Sequence, residues 1–132
     1  MNRILLVVLF LLCTSMKSTY KQSDAVEVVT AAISVSNTRE ISKYLNSIVI
    51  LAILDEENVY SKTQGEMVLK DFFSKYPPVQ VLLKHTGSSP EGLKYAICSY
   101  RTTNNAMYRL YIYMKSTGKV HYINELRFER EK

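Results

Sequence analysis

The sequence predicts an α+β domain in which three N-terminal helices pack on one side of a curved antiparallel sheet. Two observations carry this prediction. Between Ser23 and Tyr76, apolar residues recur at helical spacing in three segments. From Val79 onward, four segments rich in β-branched and aromatic residues alternate with short polar turns. Consecutive strands with tight connections form an antiparallel meander, and the helices must cover its apolar face.

The first two helices are defined by polar capping residues and an apolar stripe. Ser23 and Asp24 are typical N-cap residues, and Asn37 suits the end of the first helix. A second, shorter helix is predicted from Thr38 to Asn46. The apolar residues at helical spacing in these two segments are Val26, Val29, Ile33, Ile41 and Leu45.

A strand and a third helix follow. The unbroken apolar run Ile48 to Leu54 predicts a strand that is covered on both faces. The acidic residues at positions 55–57 predict a solvated loop. Ser61 and Gln64 match the capping-box pattern, so a third helix begins there and ends at Pro77.

Alternation in the last four strands predicts which side chains face the helices. These strands are predicted at Val79–Thr86, Leu93–Thr103, Met107–Ser116 and Lys119–Glu129. Their inner face would carry Ala96, Cys98, Leu110, Ile112 and Met114. Within the last strand, Ile123 and Leu126 are out of phase by one residue. A β-bulge at Asn124 or Glu125 reconciles them.

The first 15 residues predict a secretory signal peptide, followed by a flexible lead over 16–22 and the domain over 23–132. Arg3 supplies the positive charge that precedes an apolar run ending at Leu12. This run is shorter than the roughly 20 residues that a spanning helix needs. We therefore expect an exported protein, periplasmic or extracellular, without a membrane span in its mature chain.

The chain has two cysteines, Cys13 in the predicted signal peptide and Cys98 in the domain. A lipoprotein signal ending at Cys13 is the weaker alternative, because Leu12 stands where such signals carry a small residue. Removal of the leader leaves Cys98 as the single cysteine, so the mature domain would contain no internal disulfide.

The charge of the chain is mildly positive and scattered. The formal net charge is +5, and removing Arg3 with the leader subtracts one to leave +4. Lysine and arginine form no basic block, so the charge indicates solubility more than nucleic-acid recognition. Together with the expected export, this predicts no nucleic-acid partner.

Two groups of motifs resemble a known family. Asn58–Lys62 leading into Leu69–Phe73 resembles exported bacterial domains of unknown function with a nuclear transport factor 2-like cone. Tyr108–Tyr111 and Glu125–Glu129 are similar to the late strands of that family. The resemblance implies a fold but no activity, substrate or cofactor.

The wider superfamily includes ketosteroid isomerase and scytalone dehydratase, whose acid, base and phenol groups line the cone. The inner positions listed above are apolar here, so no catalytic residue is predicted. An isomerase, dehydratase or hydrolase that uses the cone pocket remains the alternative. No metal site is predicted, because His85, His121 and Cys98 match no ligand spacing.

The tyrosines supply the candidate binding residues. Tyr100 and Tyr108 are predicted to point inward, where they either line a ligand pocket or simply fill it. The pocket candidates are Tyr60, Cys98, Tyr100 and Tyr108.

A second set of tyrosines is predicted on the outer face of the sheet. The interface candidates there are Tyr95, Arg109, Tyr111 and Tyr113. They suit a partner protein, a glycan or a second copy of the chain in a homodimer. The sequence thus predicts a non-catalytic exported domain that binds a small ligand in the cone or a protein on the sheet face.

Overall fold

The computed structural model describes residues 24–132. The predicted signal peptide and flexible lead lie outside the described residues. Three helices are present: α1 (Ala25–Ser34), α2 (Thr38–Tyr44) and α3 (Lys62–Lys75). Six strands are present: β1 (Leu45–Ile53), β2 (Glu56–Ser61), β3 (Pro78–Ser88), β4 (Leu93–Thr102), β5 (Met107–Thr117) and β6 (Val120–Arg130).

Side chains cap each of the helices at its first turn. The Asp24 carboxylate accepts a hydrogen bond from the Val26 N–H, and the Asn37 side chain accepts one from the Glu40 N–H. Ser61 and Gln64 form the predicted capping box, with each side chain accepting from the other residue's backbone. These bonds satisfy donors that the first helical turn leaves free.

The six strands form one sheet in the order β2-β1-β6-β5-β4-β3. Strands β3 to β6 form the predicted antiparallel meander. The expectation of an antiparallel sheet throughout is wrong, because β1 pairs with β6 in parallel, with Leu51 opposite Leu126. Parallel alignment requires a long crossover, and α3 together with β3 to β5 provides it.

The predicted solvated loop at positions 55–57 is confirmed in part: Asp55 lies in an exposed turn, whereas Glu56 and Glu57 are exposed but belong to a strand. Glu56 and Glu57 begin β2, which pairs antiparallel with β1 and forms one edge of the sheet. Charged residues are compatible with an edge strand, because their side chains reach water. Coverage of β1 on both faces is also wrong, since Ile48 is 64% exposed.

The turn between β1 and β2 holds a bulky residue in an uncommon conformation. Leu54 has φ of 57°, a left-handed value that glycine adopts readily and leucine does not. Its N–H donates to the Phe128 carbonyl at 2.9 Å, which fastens the turn to β6.

The core lies between the helices and one face of the sheet, called here the inner face. The predicted inner residues Ala96, Cys98, Leu110, Ile112 and Met114 are all buried. The predicted bulge is also confirmed: Tyr113 pairs with Glu125 and Met114 pairs with Ile123, so Asn124 is the extra residue.

Helix α3 approaches β1 closely at Gly65. A Cβ atom placed on this glycine would lie 2.9 Å from Cγ1 of Val49. The missing side chain therefore sets how near the helix lies to the sheet.

Candidate functional site

Tyr100 and Tyr108 lie within the aromatic part of the core. The Tyr100 side chain is fully buried, and its hydroxyl donates to the Tyr76 carbonyl. Burial, with a smaller contribution from Tyr108, raises the pKa of the Tyr100 phenol. Tyr108 packs edge-on against Tyr100 and Tyr76, with ring centroids 6.2 and 5.7 Å apart. Both rings are therefore packed in the core next to Tyr76.

Cys98 lies in the same core. Its side chain is buried, and burial raises the pKa of its thiol, while a hydrogen bond with Thr30 acts in the opposite direction. A thiol in this setting is mostly protonated at neutral pH. The structure places Cys98 away from the cleft described next.

An open cleft of about 590 Å³ lies between α3 and the inner side of the β1–β2 hairpin. Its floor is apolar, formed by Leu51, Ile53, Val68 and Phe72. Tyr60 and Tyr76 contribute phenol side chains to its walls. Of the four predicted pocket residues, the structure brings Tyr60 alone to this cleft.

Two local patterns direct side chains into the cleft. In β2, Glu56, Asn58 and Tyr60 alternate along one face, and their partners in β1 are Ile53, Leu51 and Val49. In α3, the contributing residues follow helical spacing, so they form one stripe along the helix. They are Val68, Asp71, Phe72 and Lys75.

The rim of the cleft carries five charged residues. They are Asp55, Glu56, Asp71, Lys75 and Arg130. Lys75 pairs with Asp71 at 3.0 Å along α3. Arg130, at the end of β6, pairs at 3.4 Å with Asp55 in the turn between β1 and β2. The sequence gives a signal for the first pair, because a four-residue separation places opposite charges together on a helix. The sequence also draws attention to Asp55, as a carboxylate at a strand end, but gives no reason to place Glu56 or Arg130 in a site.

The four predicted interface residues share the outer face of the sheet. Tyr95 lies opposite Tyr113 across β4 and β5. The rings of Tyr111 and Tyr113 are parallel, with 2° between their planes and 6.3 Å between centroids. Arg109 follows the same alternation on β5, and a weak ion pair at 3.8 Å joins it to Glu131.

Charged side chains border these tyrosines. Arg127 on β6 contacts Glu125 at 2.7 Å and Glu57 at 2.9 Å. A hydrogen bond with Glu125, more than any other contact, raises the pKa of the Arg127 guanidinium. The outer face therefore combines aromatic area with charges of both signs.

A family model described as a domain of unknown function, DUF4783, matches residues 26–129. The chain belongs to this family. The predicted membership of a family of unknown function is thereby confirmed.

Solved structures resemble this DUF4783 domain in fold. A DUF4783 family protein from Bacteroides uniformis is 22% identical with a TM-score of 0.77, covering 83% of this chain and 99% of that chain. One from Bacteroides ovatus is 22% identical with a TM-score of 0.74, covering 80% and 94%. A designed protein named Rd1NTF2_04, with a long sheet, is 10% identical with a TM-score of 0.65, covering 78% and 94%.

These likenesses support a nuclear transport factor 2-like fold for the DUF4783 domain. At such low identity they concern the fold alone. Among curated proteins, none matches the sequence.

The histidines of the DUF4783 domain lie apart from one another. His85 Nε2 lies 3.1 Å from the Tyr95 hydroxyl on the outer face, and His121 lines a second cleft with Lys94 and Lys119. Over residues 24–132, histidine, cysteine and carboxylate side chains form no group arranged to hold a metal ion. None of the helices described is long and apolar enough to cross a membrane.

Proposed function

We propose that this DUF4783 domain is a non-catalytic binding domain of an exported protein and takes a small ligand in the cleft between α3 and the β1–β2 hairpin. The observation that carries the proposal is the apolar floor beneath a polar rim. Ligand sites typically enclose about 300–1,000 Å³ and combine apolar walls with a few polar groups. The cleft, at about 590 Å³, has both properties.

Packing behind the cleft supports a preformed site. Phe72 and Tyr76 lie 5.2 Å apart between ring centroids, and Phe72 also packs on Phe128 at 4.3 Å. The hydrogen bond from Tyr100 fixes the backbone of Tyr76. Rigid aromatic walls reduce the ordering cost of binding. The role of Tyr100 and Tyr108 is thus to support the cleft from behind, and Tyr60 contacts the ligand.

A neutral fluorescent probe tests this function directly. N-phenyl-1-naphthylamine fluoresces strongly in apolar surroundings, and the mature domain should enhance its emission in a saturable manner. Asn58→Trp places a large side chain into the cleft and should abolish that enhancement. Val59→Trp is the matched control, because Val59 is exposed on the opposite face of the same strand. Equal binding by the wild type and Asn58→Trp would reject the cleft as the site.

A second candidate function uses the outer face to join two copies of the chain. Its specific support is charge balance, because a two-fold interface must complement itself. Around the parallel Tyr111 and Tyr113 rings, the outer sides of β2, β5 and β6 carry three basic and three acidic side chains. They are Arg109, Lys115, Arg127, Glu57, Glu125 and Glu129.

The molecular mass in solution, measured by light scattering, tests whether the outer face joins two copies of the chain. The wild type should have the mass of a dimer, and the double variant Tyr111→Ser with Tyr113→Ser should have the mass of a folded monomer. Met67→Ser, an exposed change at the cleft rim, should leave the dimer intact. A monomeric wild type, or an unchanged dimer in the double variant, would eliminate this interface.

A further inference from the structure

We propose that the cleft selects an organic cation, meaning a molecule with an ammonium group attached to an apolar body. This inference rests on the proposed binding function of the cleft and adds the chemical class of the ligand. Its starting point is the charge of the rim. Three carboxylates and two basic groups stand there, a net of −1, on a chain whose formal net charge is +5.

The pairing of those charges leaves one carboxylate for a ligand. Lys75 contacts Asp71 at 3.0 Å, and Arg130 contacts Asp55 at 3.4 Å. Glu56, at the first position of β2, has no ion-pair partner among residues 24–132. Its alternation with Asn58 and Tyr60 places it on the cleft side of the hairpin. Glu56 is therefore the rim charge that attracts a ligand of opposite sign.

The aromatic side chains of the cleft also favour a positively charged ligand. Tyr60, Phe72 and Tyr76 all line the cleft. The face of an aromatic ring carries negative charge density and attracts ammonium groups, most strongly where water is excluded. A cation that enters beside Glu56 therefore meets favourable electrostatics from both the carboxylate and the rings.

Electrostatics at the rim disfavour a ligand with an anionic head group. Such a head group is repelled by Glu56, and the charges of Lys75 and Arg130 are partly neutralised by the carboxylate that each already contacts. A neutral head group avoids the repulsion but gains nothing from Glu56. The order of preference is therefore cation, then neutral molecule, then anion, for the same apolar body.

Displacement of N-phenyl-1-naphthylamine by three matched compounds tests this order. Octyltrimethylammonium, octanol and octanoate share an eight-carbon chain and differ in charge. We expect the ammonium compound to displace the probe at a concentration about tenfold lower than octanoate, with octanol between them. Raising the salt concentration should narrow this ratio, because an exposed carboxylate is screened.

Two neighbouring variants assign the selectivity to Glu56. Glu56→Gln should bring the three displacement concentrations together. Glu57→Gln removes the same charge one residue away, where the side chain faces the outer surface, and should leave the ratio unchanged. Both residues are exposed, so both variants should fold.

The outcomes separate the two proposals. Equal displacement by all three compounds, a preference for octanoate, or equal effects of the two variants would overturn the cation inference while ligand binding in the cleft stands. Failure of the probe to bind the wild type would overturn the proposed function and the inference together.

Discussion

The phenol of Tyr100 donates a hydrogen bond to the backbone carbonyl of Tyr76, and this bond ties the end of α3 to β4. Tyr76 is the residue that caps α3, and its own N–H donates to the Phe72 carbonyl at 2.8 Å. One wall of the cleft is thus held in place from inside the core.

Replacing Tyr100 by phenylalanine removes the hydroxyl and leaves the ring. The Tyr76 carbonyl then loses its buried partner, so the free energy of unfolding should fall by about 1 kcal/mol. Urea denaturation measures the loss. The control Tyr113→Phe alters a hydroxyl on the outer face and should change stability by less than about 0.5 kcal/mol. Equal stability of the wild type and Tyr100→Phe would show that the bond contributes nothing to the fold.

The left-handed backbone at Leu54 makes a prediction about two small replacements. Leu54→Gly and Leu54→Ala both delete the side chain and differ chiefly in their preference for a positive φ. The glycine variant should be more stable than the alanine variant by about 1 kcal/mol, because alanine keeps the steric penalty of the left-handed region. Urea denaturation of the glycine and alanine variants measures this difference, and the glycine variant should have the higher midpoint. A more stable alanine variant would be incompatible with this turn.

Asp24 should give α1 a stability that depends on pH. Burial by itself raises the pKa of this carboxyl, but the hydrogen bond from the Val26 N–H and the contact with Lys94 outweigh burial and lower the pKa below its ordinary value of 3.8. A depressed pKa means that the folded state favours the charged carboxylate. Its contribution is complete well above pH 3.8 and is lost as the pH falls through the lower, folded value.

Comparison with Asp24→Asn isolates that contribution, because asparagine caps a helix as well as aspartate does. At pH 7 the wild type should be the more stable protein, by less than about 1 kcal/mol because the Lys94 pair is partly exposed. The difference should vanish in strongly acidic solution. A stability difference that persists in strong acid would show that the charge of Asp24 is not its cause.

Gly65→Ala should destabilise the domain although alanine favours helices. The gain in helix propensity is about 1 kcal/mol. The new Cβ would lie 2.9 Å from Val49 Cγ1, and relieving such crowding in a packed core costs about 1–3 kcal/mol. We expect a lower melting temperature. Ser74→Ala, on the exposed side of the same helix, should raise it slightly.

Cys98 should react with thiol reagents only when the domain unfolds. Its burial and raised pKa both reduce the concentration of accessible thiolate. In a Cys13→Ser background, labelling with dithionitrobenzoate should be slow in buffer and complete in urea. Rapid labelling in buffer would indicate that the core opens readily at β4.

Features that depend on neighbouring residues were predictable from the sequence. The capping box at Ser61 and Gln64 is a local hydrogen-bonding pattern. The bulge at Asn124 follows from a break in two-residue alternation within one strand. Each of these signals spans only a few residues, so no knowledge of the tertiary fold was needed.

Features that depend on distant contacts were not predictable. β2 is rich in charged and polar residues, and it forms a strand because β1 supplies its hydrogen-bond partners. The cleft rim joins Asp55 to Arg130 across 75 positions of the chain. Alternation correctly placed Tyr100 and Tyr108 on the inner face. It does not predict how deeply a side chain on that face is buried, or whether it borders a cleft. Tyr60 reaches the cleft because it lies on an edge strand, whereas Tyr100 lies deep in the core.

The parallel pairing of β1 with β6 affects how the chain can fold as it is synthesised. β6 follows every other described strand in the sequence, yet it lies between β1 and β5 in the sheet. Until β6 leaves the ribosome, the β1–β2 hairpin and the β3–β5 meander are separate pieces, each with an open edge. Pairings between distant segments form slowly, and open edges invite aggregation. The nascent domain therefore depends on its final strand to join two incomplete half-sheets.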